Sequence, residues 1–104
     1  MKKVIVHFDA PKGTQQQYDQ IWEELRSAGY ESPKGLIFHV GGPKPDGGWF
    51  VTDVWDSEDD FQQFGKVLMP IIQKNNMQDS QVVIMPAHYV FQHVFQHLKE
   101  DVLS

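Results

Sequence analysis

The stretch that decides the fold is residues 35–55, which read GLIFHVGGPKPDGGWFVTDVW. Its two ends, 35–40 and 49–55, are rich in β-branched and aromatic residues, as strands are. Residues 41–48 between them consist mainly of glycine and proline, which favour a chain reversal. The pattern predicts an antiparallel hairpin with a long loop. Because this glycine-rich loop joins two strands and opens no helix, a phosphate-binding loop is not expected.

Amphipathic helices are predicted on both sides of the hairpin. Upstream, Thr14 and Gln17 have the spacing of a capping box, and Gly29 supplies a stop. Downstream, Ser57 opens a second helix. Pro70 cannot donate a backbone hydrogen bond, so we expect a bend there, followed by another short helical turn. The apolar positions recur at helical spacing in both segments: Tyr18, Ile21, Trp22 and Leu25 in the first, and Phe61, Phe64, Leu68, Ile71 and Ile72 in the second.

Two further strands are predicted near the ends of this region. Residues 4–8 read VIVHF, and residues 81–85 read QVVIM before Pro86, which suggests a bulge or an edge position. The resulting order is β-α-β-β-α-β. This order is typical of the α+β, ferredoxin-like fold, a four-stranded antiparallel sheet with both helices on one face.

The alternating residues of the strands predict that both faces of the sheet are covered. One set is Val4, Val6, Phe8, Leu36, Phe38 and Val40. The other set is Ile5, His7, Ile37 and His39, joined by either Asp53 or Thr52 according to the register of the third strand. Neither set is typical of a solvated surface, and the helices cover only one face. We therefore expect a homodimer joined through its sheet faces.

Length and composition indicate one domain over residues 1–104, the whole of this sequence. With 9 basic and 14 acidic residues the net charge is -5, and no basic cluster is present to bind nucleic acid. The chain has no cysteine, and no apolar run is long enough to cross a membrane. No signal peptide is recognisable at the start, so a cytoplasmic location is the expectation.

The chain resembles the dimeric α/β-barrel superfamily, and within it the small antibiotic biosynthesis monooxygenase-like proteins. The likeness covers residues 2–91 and rests on four features: the order of elements, the hairpin, residues 54–57 (VWDS) before a Phe-rich helix, and residues 85–89 (MPAHY). It implies a dimer with facing sheets and a ligand cavity between sheet and helices in each protomer. The superfamily includes cofactor-free oxygenases, haem-handling enzymes, isomerases and members with no assigned activity, so the resemblance permits oxygenation without a bound cofactor or metal but does not require it.

Two histidines are the candidate catalytic residues. His39 lies within a predicted strand and His88 near the end of the last one. An imidazole titrates near neutral pH, so either can serve as a general base toward a phenolic or enolic substrate. The alternative is a structural histidine paired with the backbone or with Asp53. If Asp53 and His7 share a sheet face, Asp53 can instead orient His7.

Aromatic side chains are candidates for the wall of a pocket for a small hydrophobic or aromatic ligand. Trp22, Trp55 and Phe64 are the predicted contacts, together with Asp53 and His7. Ordinary core packing explains aromatic residues equally well. Two functions therefore stay open. The first is a cofactor-independent monooxygenase-like enzyme for an aromatic or polyketide-like compound. The second is a non-catalytic dimer that binds a small molecule or serves as an accessory protein.

The C-terminal segment contains a direct repeat, VFQHVFQH, at residues 90–97. At helical spacing its apolar residues fall on one face and its polar residues on the other, which predicts an added helix over about residues 90–103. His93 and His97 are four residues apart, as in some zinc sites. The glutamate of that motif is replaced by Val94 and no third ligand is evident, so a metal site is not predicted.

Overall fold

The computed structural model of the protein describes residues 2–91. The elements are β1 (Val4–Ala10), α1 (Gln15–Ser27), β2 (Leu36–Pro43), β3 (Trp49–Trp55), α2 (Glu58–Lys74) and β4 (Gln81–Pro86). The strands form one antiparallel sheet in the order β2-β3-β1-β4. The predicted ferredoxin-like fold is confirmed, and Pro86 lies on an edge strand as expected.

Both helices begin at the predicted capping residues. The Thr14 hydroxyl oxygen accepts from the backbone N–H of Gln17, whose side-chain oxygen accepts from the backbone N–H of Thr14. Ser57 caps α2 by accepting from the backbone N–H of Asp60 at 3.1 Å. Pro70 lies inside α2, which continues to Lys74, so the further helical turn expected after the proline is present.

The core lies between the helices and one face of the sheet. Val6 and Trp55, from β1 and β3, are fully buried, and Leu25 of α1 is 1% exposed. Leu68 and Ile72 are buried on either side of Pro70, and this packing compensates for the backbone hydrogen bond that the proline cannot make.

A bulge in β2 decides which residues of that strand face the core. Leu36 is opposite Trp55, but the register shifts before Phe38, so that His39 is opposite Asp53. The extra residue reverses the alternation of the strand. Phe38 and Val40 therefore lie on the outer face, and the predicted grouping of these two residues with Leu36 is wrong.

The outer face of the sheet, the face away from the helices, is largely apolar. The register places these apolar residues on it: Ile5, Phe38, Val40, Phe50, Val54, Val83 and Met85. Phe38 is 51% exposed and Val83 is 50% exposed. Such a surface is typical of an interface rather than of a face in contact with water.

None of the helices within residues 2–91 has the length and apolar character needed to span a membrane. The predicted C-terminal helix lies outside the described residues, apart from Val90 and Phe91, and so do His93 and His97.

Candidate functional site

A cavity of about 70 Å³ lies between the helices and the sheet. Its walls are mainly apolar and are supplied by both helices and by the inner face of the sheet. They include Phe8, Ile21, Leu25, Phe64, Leu68 and Ile72. Three groups able to carry or exchange a proton lie in the same wall: Tyr18, His39 and Asp53. A mainly apolar cavity wall with a few convergent polar groups is the usual lining of a ligand site.

These polar groups form one continuous chain of hydrogen bonds. The Tyr18 hydroxyl lies 2.5 Å from Nε2 of His39, and Nδ1 of His39 lies 2.5 Å from Oδ1 of Asp53. The other carboxylate oxygen, Oδ2, accepts from the indole N–H of Trp55 at 3.1 Å. We call this chain, Tyr18–His39–Asp53–Trp55, the proton relay.

The strand register explains why three members of the relay meet. His39 and Asp53 are directly opposite in the β2–β3 ladder, so their side chains leave the same face of the sheet. Asp53 and Trp55 are two residues apart on β3 and share that face. The fourth member, Tyr18, comes from α1, which packs across this face.

Burial keeps the Tyr18 hydroxyl protonated. It raises the pKa of Tyr18 above the ordinary value of 10.0; a hydrogen bond with Trp22 partly offsets this, and the negative charge of Asp53 adds to it. A neutral phenol donates its proton to Nε2 of His39, which places the imidazole proton on Nδ1, facing Asp53. A protonated His39 can instead donate from both nitrogens. The relay therefore accepts a proton on His39 without losing a hydrogen bond.

Packing around His39 fixes the imidazole ring. The ring of Tyr18 lies parallel to it, with centroids 5.9 Å apart, and Trp22 meets it edge to face at 5.0 Å. Gly41 of β2 allows Tyr18 to lie this close to the strand, since a Cβ at Gly41 would be 2.9 Å from both Cζ and Oη of Tyr18. The Tyr18 hydroxyl can therefore occupy its position beside His39 because residue 41 has no side chain.

The structure brings four of the predicted site residues to the cavity: His39, Asp53, Trp22 and Phe64. Trp55 does not line it but lies behind Asp53, fully buried. The sequence pattern places Tyr18 only in the apolar stripe of a helix. The Tyr18 hydroxyl within that apolar stripe is the sequence signal for a role in the site, but its contact with His39 appears only in the tertiary structure.

Two predicted site residues lie away from the cavity. His7 is on the outer face of the sheet, because it alternates with the buried Val6 and Phe8. Its ring bonds to the Thr52 hydroxyl at 2.9 Å and stacks on Phe50, so Asp53 orients His39 and not His7. His88 is exposed in a bend after β4 and is not part of the cavity wall. Within residues 2–91, no three His, Asp or Glu side chains are grouped closely enough to hold a metal ion.

Comparison with known proteins gives a likeness of fold. No protein-family model and no curated protein matches the sequence. Among solved structures, the cofactor-independent oxygenase SnoaB from Streptomyces nogalater is similar with a TM-score of 0.62 and 14% identity, over 89% of this chain and 100% of that one.

Two further solved structures have the same fold. A candidate antibiotic biosynthesis monooxygenase from Deinococcus radiodurans matches with a TM-score of 0.59 and 14% identity, over 88% of this chain and 99% of that one. A dimeric ferredoxin-like protein of unknown function from Thermobifida fusca matches with a TM-score of 0.56 and 18% identity, over 84% and 93%. The predicted resemblance to these proteins is confirmed for the fold; identities this low do not transfer an activity.

Proposed function

We propose that this protein is an acid–base enzyme that removes a proton from a small, largely apolar substrate without a bound cofactor. One observation carries the proposal: the proton relay ends in the wall of an apolar cavity. The side chain of Asp53 is 7% exposed and that of His39 is 21% exposed, so the base is partly accessible while its carboxylate partner is shielded.

In this proposal the proton travels through Tyr18. The substrate O–H or C–H bond breaks as its proton passes to the Tyr18 oxygen, and the original Tyr18 proton passes to Nε2 of His39. Asp53 then faces an imidazolium and stabilises its positive charge at a distance of 2.5 Å. Trp55 holds the carboxylate in place through its second oxygen. The products of the step are a substrate anion and a protonated His39.

Oxygenation is the finer proposal for the fate of that anion. An electron-rich anion of an aromatic or enolic compound can pass electrons directly to O₂. For a methylene group oxidised to a carbonyl, the substrate supplies four electrons; one oxygen atom enters the product and the other leaves as water. The shared fold with a cofactor-independent oxygenase supports this choice. The protein then needs to supply only a base, an anion-stabilising donor and a dry cavity.

The size of the cavity limits the substrate. An apolar cavity that takes benzene has a volume of about 150 Å³. The cavity here, about 70 Å³, is smaller than that. We therefore propose a small compound, or one that inserts only its reactive group beside Tyr18, rather than a fully enclosed polycyclic polyketide.

A homodimer joined through the outer sheet faces is part of the proposal. Its support is the apolar outer face, where Phe38, Val40, Val83 and Met85 are each at least 39% exposed. A solved structure with the same fold is described as dimeric. Covering this face with the same face of a second copy would remove its apolar side chains from water.

Two assays test the function separately. Exchange of substrate hydrogen for deuterium without oxygen reports proton removal, and oxygen consumption with a panel of phenols and hydroquinones reports oxygenation. We expect His39→Ala and Tyr18→Phe to slow both rates by a factor of about 10² or more. His88→Ala, which removes an exposed histidine away from the cavity, is the matched control and should retain both rates.

The outcomes separate the two functions left open by the sequence. Equal rates in wild type and His39→Ala would refute the catalytic proposal. Ligand binding in the cavity without exchange or oxygen consumption would favour the non-catalytic binding protein, in which the relay is structural.

A further inference from the structure

Trp49 carries a buried hydrogen-bond donor that no side chain or backbone group within residues 2–91 satisfies. The residue is 7% exposed, and its Nε1 atom has no partner among the described residues. The large majority of buried donors in proteins are paired. Trp55 follows that rule, since its N–H is bound by Asp53. The unpaired N–H of Trp49 therefore requires its own explanation.

The position of Trp49 points to a ligand. Trp49 begins β3, forms part of the cavity wall, and has its ring centroid 5.1 Å from that of Tyr18. The hydroxyl of Tyr18 is the end of the proton relay. The indole ring that carries this donor thus packs against the phenol ring that carries the hydroxyl, and both rings belong to the cavity wall.

We infer that the indole N–H of Trp49 donates to an oxygen atom of a ligand bound in the cavity. The inference deepens the proposed function and, in its catalytic part, rests on it. When His39 has taken up a proton, Tyr18 again carries a hydroxyl hydrogen that can donate to the substrate anion. Trp49 and Tyr18 then form a pair of donors for one oxyanion.

Charge decides which oxygen compounds fit. The site contains the negative carboxylate of Asp53. While His39 is neutral, no positive charge in the relay compensates for it, so Asp53 repels a ligand that is permanently an anion. A neutral phenol, enol or enolisable ketone enters without this penalty. Its negative charge develops only as His39 becomes positive. The ligand class is therefore a small neutral compound whose deprotonated form is an oxyanion.

Phenol and toluene are matched probes for this donor, because they have the same ring and differ only in the group that each would insert beside Tyr18, a hydroxyl in phenol and a methyl in toluene. The size of the cavity requires only this group to enter it. The chain has three tryptophans, so the indole N–H region of a ¹H–¹⁵N spectrum contains three side-chain signals that Trp→Phe variants assign. We expect phenol to shift the Trp49 signal downfield and toluene not to do so. Trp49→Phe should weaken phenol binding by roughly 3- to 10-fold, the effect of losing one hydrogen bond, and change toluene binding by less than about twofold.

Phe64→Leu is the comparator, because it changes an aromatic side chain of the same cavity wall that carries no hydrogen-bond donor. It should leave the ratio of phenol to toluene affinity near its wild-type value. A wild-type Trp49 signal that phenol leaves unmoved would overturn the inference even if Trp49→Phe failed to fold, and so would unchanged phenol affinity in a folded Trp49→Phe protein. Loss of phenol preference in Trp49→Phe, with no hydrogen exchange by the wild type, would retain the ligand contact and refute the catalytic proposal alone.

Discussion

Replacing Gly41 by alanine is the sharpest test of how the relay is assembled. A Cβ at this position would lie 2.9 Å from Cζ and Oη of Tyr18 and 3.0 Å from Cε1, whereas ordinary contacts are 3.4–4 Å. The backbone of Gly41 is not in the left-handed region, so alanine fits the strand itself. The substitution therefore acts on the position of Tyr18.

The expected displacement is large enough to break the hydrogen bond to His39. To restore ordinary contact the tip of the Tyr18 ring must withdraw by about 0.5–1 Å, which forces either strain or loss of the contact at 2.5 Å to Nε2. Overpacking of this kind destabilises a fold by about 1–3 kcal/mol. A misplacement near 1 Å in a catalytic group lowers a rate by up to about 10²-fold.

Titration of the tyrosines by ultraviolet absorbance measures the displacement without a substrate. Burial raises the pKa of Tyr18, so a ring pushed outward should titrate at lower pH, closer to 10.0. Gly42→Ala is the matched control, because Gly42 is the next residue of β2 and its Cβ would meet Phe50 on the outer face at 3.3 Å. It should leave the Tyr18 titration unchanged. A Gly41→Ala protein with wild-type titration and wild-type His39 imidazole NMR signals would refute the reasoning.

Three further predictions concern pH, the buried carboxylate and assembly. The stability of the wild type should fall as pH rises past about 10, because the unfolded chain releases the Tyr18 proton there while the folded protein retains it. Urea unfolding at a series of pH values measures this fall, and Tyr18→Phe should reduce it. The same pH profile in both proteins would contradict the burial of the hydroxyl. Trp55→Phe leaves Oδ2 of Asp53 without its donor and opens space in the core, so the free energy of unfolding should drop by about 2–4 kcal/mol. The drop should be smaller in an Asp53→Asn background, and full additivity would argue against the bond. Val83→Glu places a charge on the outer sheet face and should yield a monomer, measured by light scattering. Val82→Glu lies on the helix side of the same edge strand and should remain a dimer. A dimer in both variants would exclude the outer sheet face as the interface.

Local chemistry made most of the fold predictable. The caps at Thr14 and Ser57 are recognisable because a hydroxyl three residues before a suitable partner satisfies free backbone N–H groups within one turn. The limits of β3, Trp49–Trp55, also follow from a run of strand-forming residues that ends at a cap. Helical structure continues beyond Pro70 because Leu68 and Ile72, on either side of the proline, are buried, and this burial is a tertiary effect.

The candidate site was predictable only in part. His39 and Asp53 were recognised as polar residues in apolar strands, and Trp22 and Phe64 as possible walls. His7 was grouped with them because strand alternation alone cannot tell which face meets the helices. Gly41 gave no signal of its role, since a glycine near a hairpin loop is ordinary.

The sequence by itself determined the order of the elements, their caps and the apolar character of both sheet faces, because these depend on neighbours within a few residues. The tertiary structure alone decided which histidine meets Asp53. The bulge before Phe38 decides which residues of β2 lie on the face that meets the helices, and it places His39 on that face. It also decided that Tyr18 completes the relay, because this contact requires α1 to dock on a strand whose Gly41 offers no side chain. Tyr18 and His39 are 21 positions apart along the chain, and His39 and Asp53 are 14 apart. These contacts form only when packing has fixed both the strand register and the position of α1.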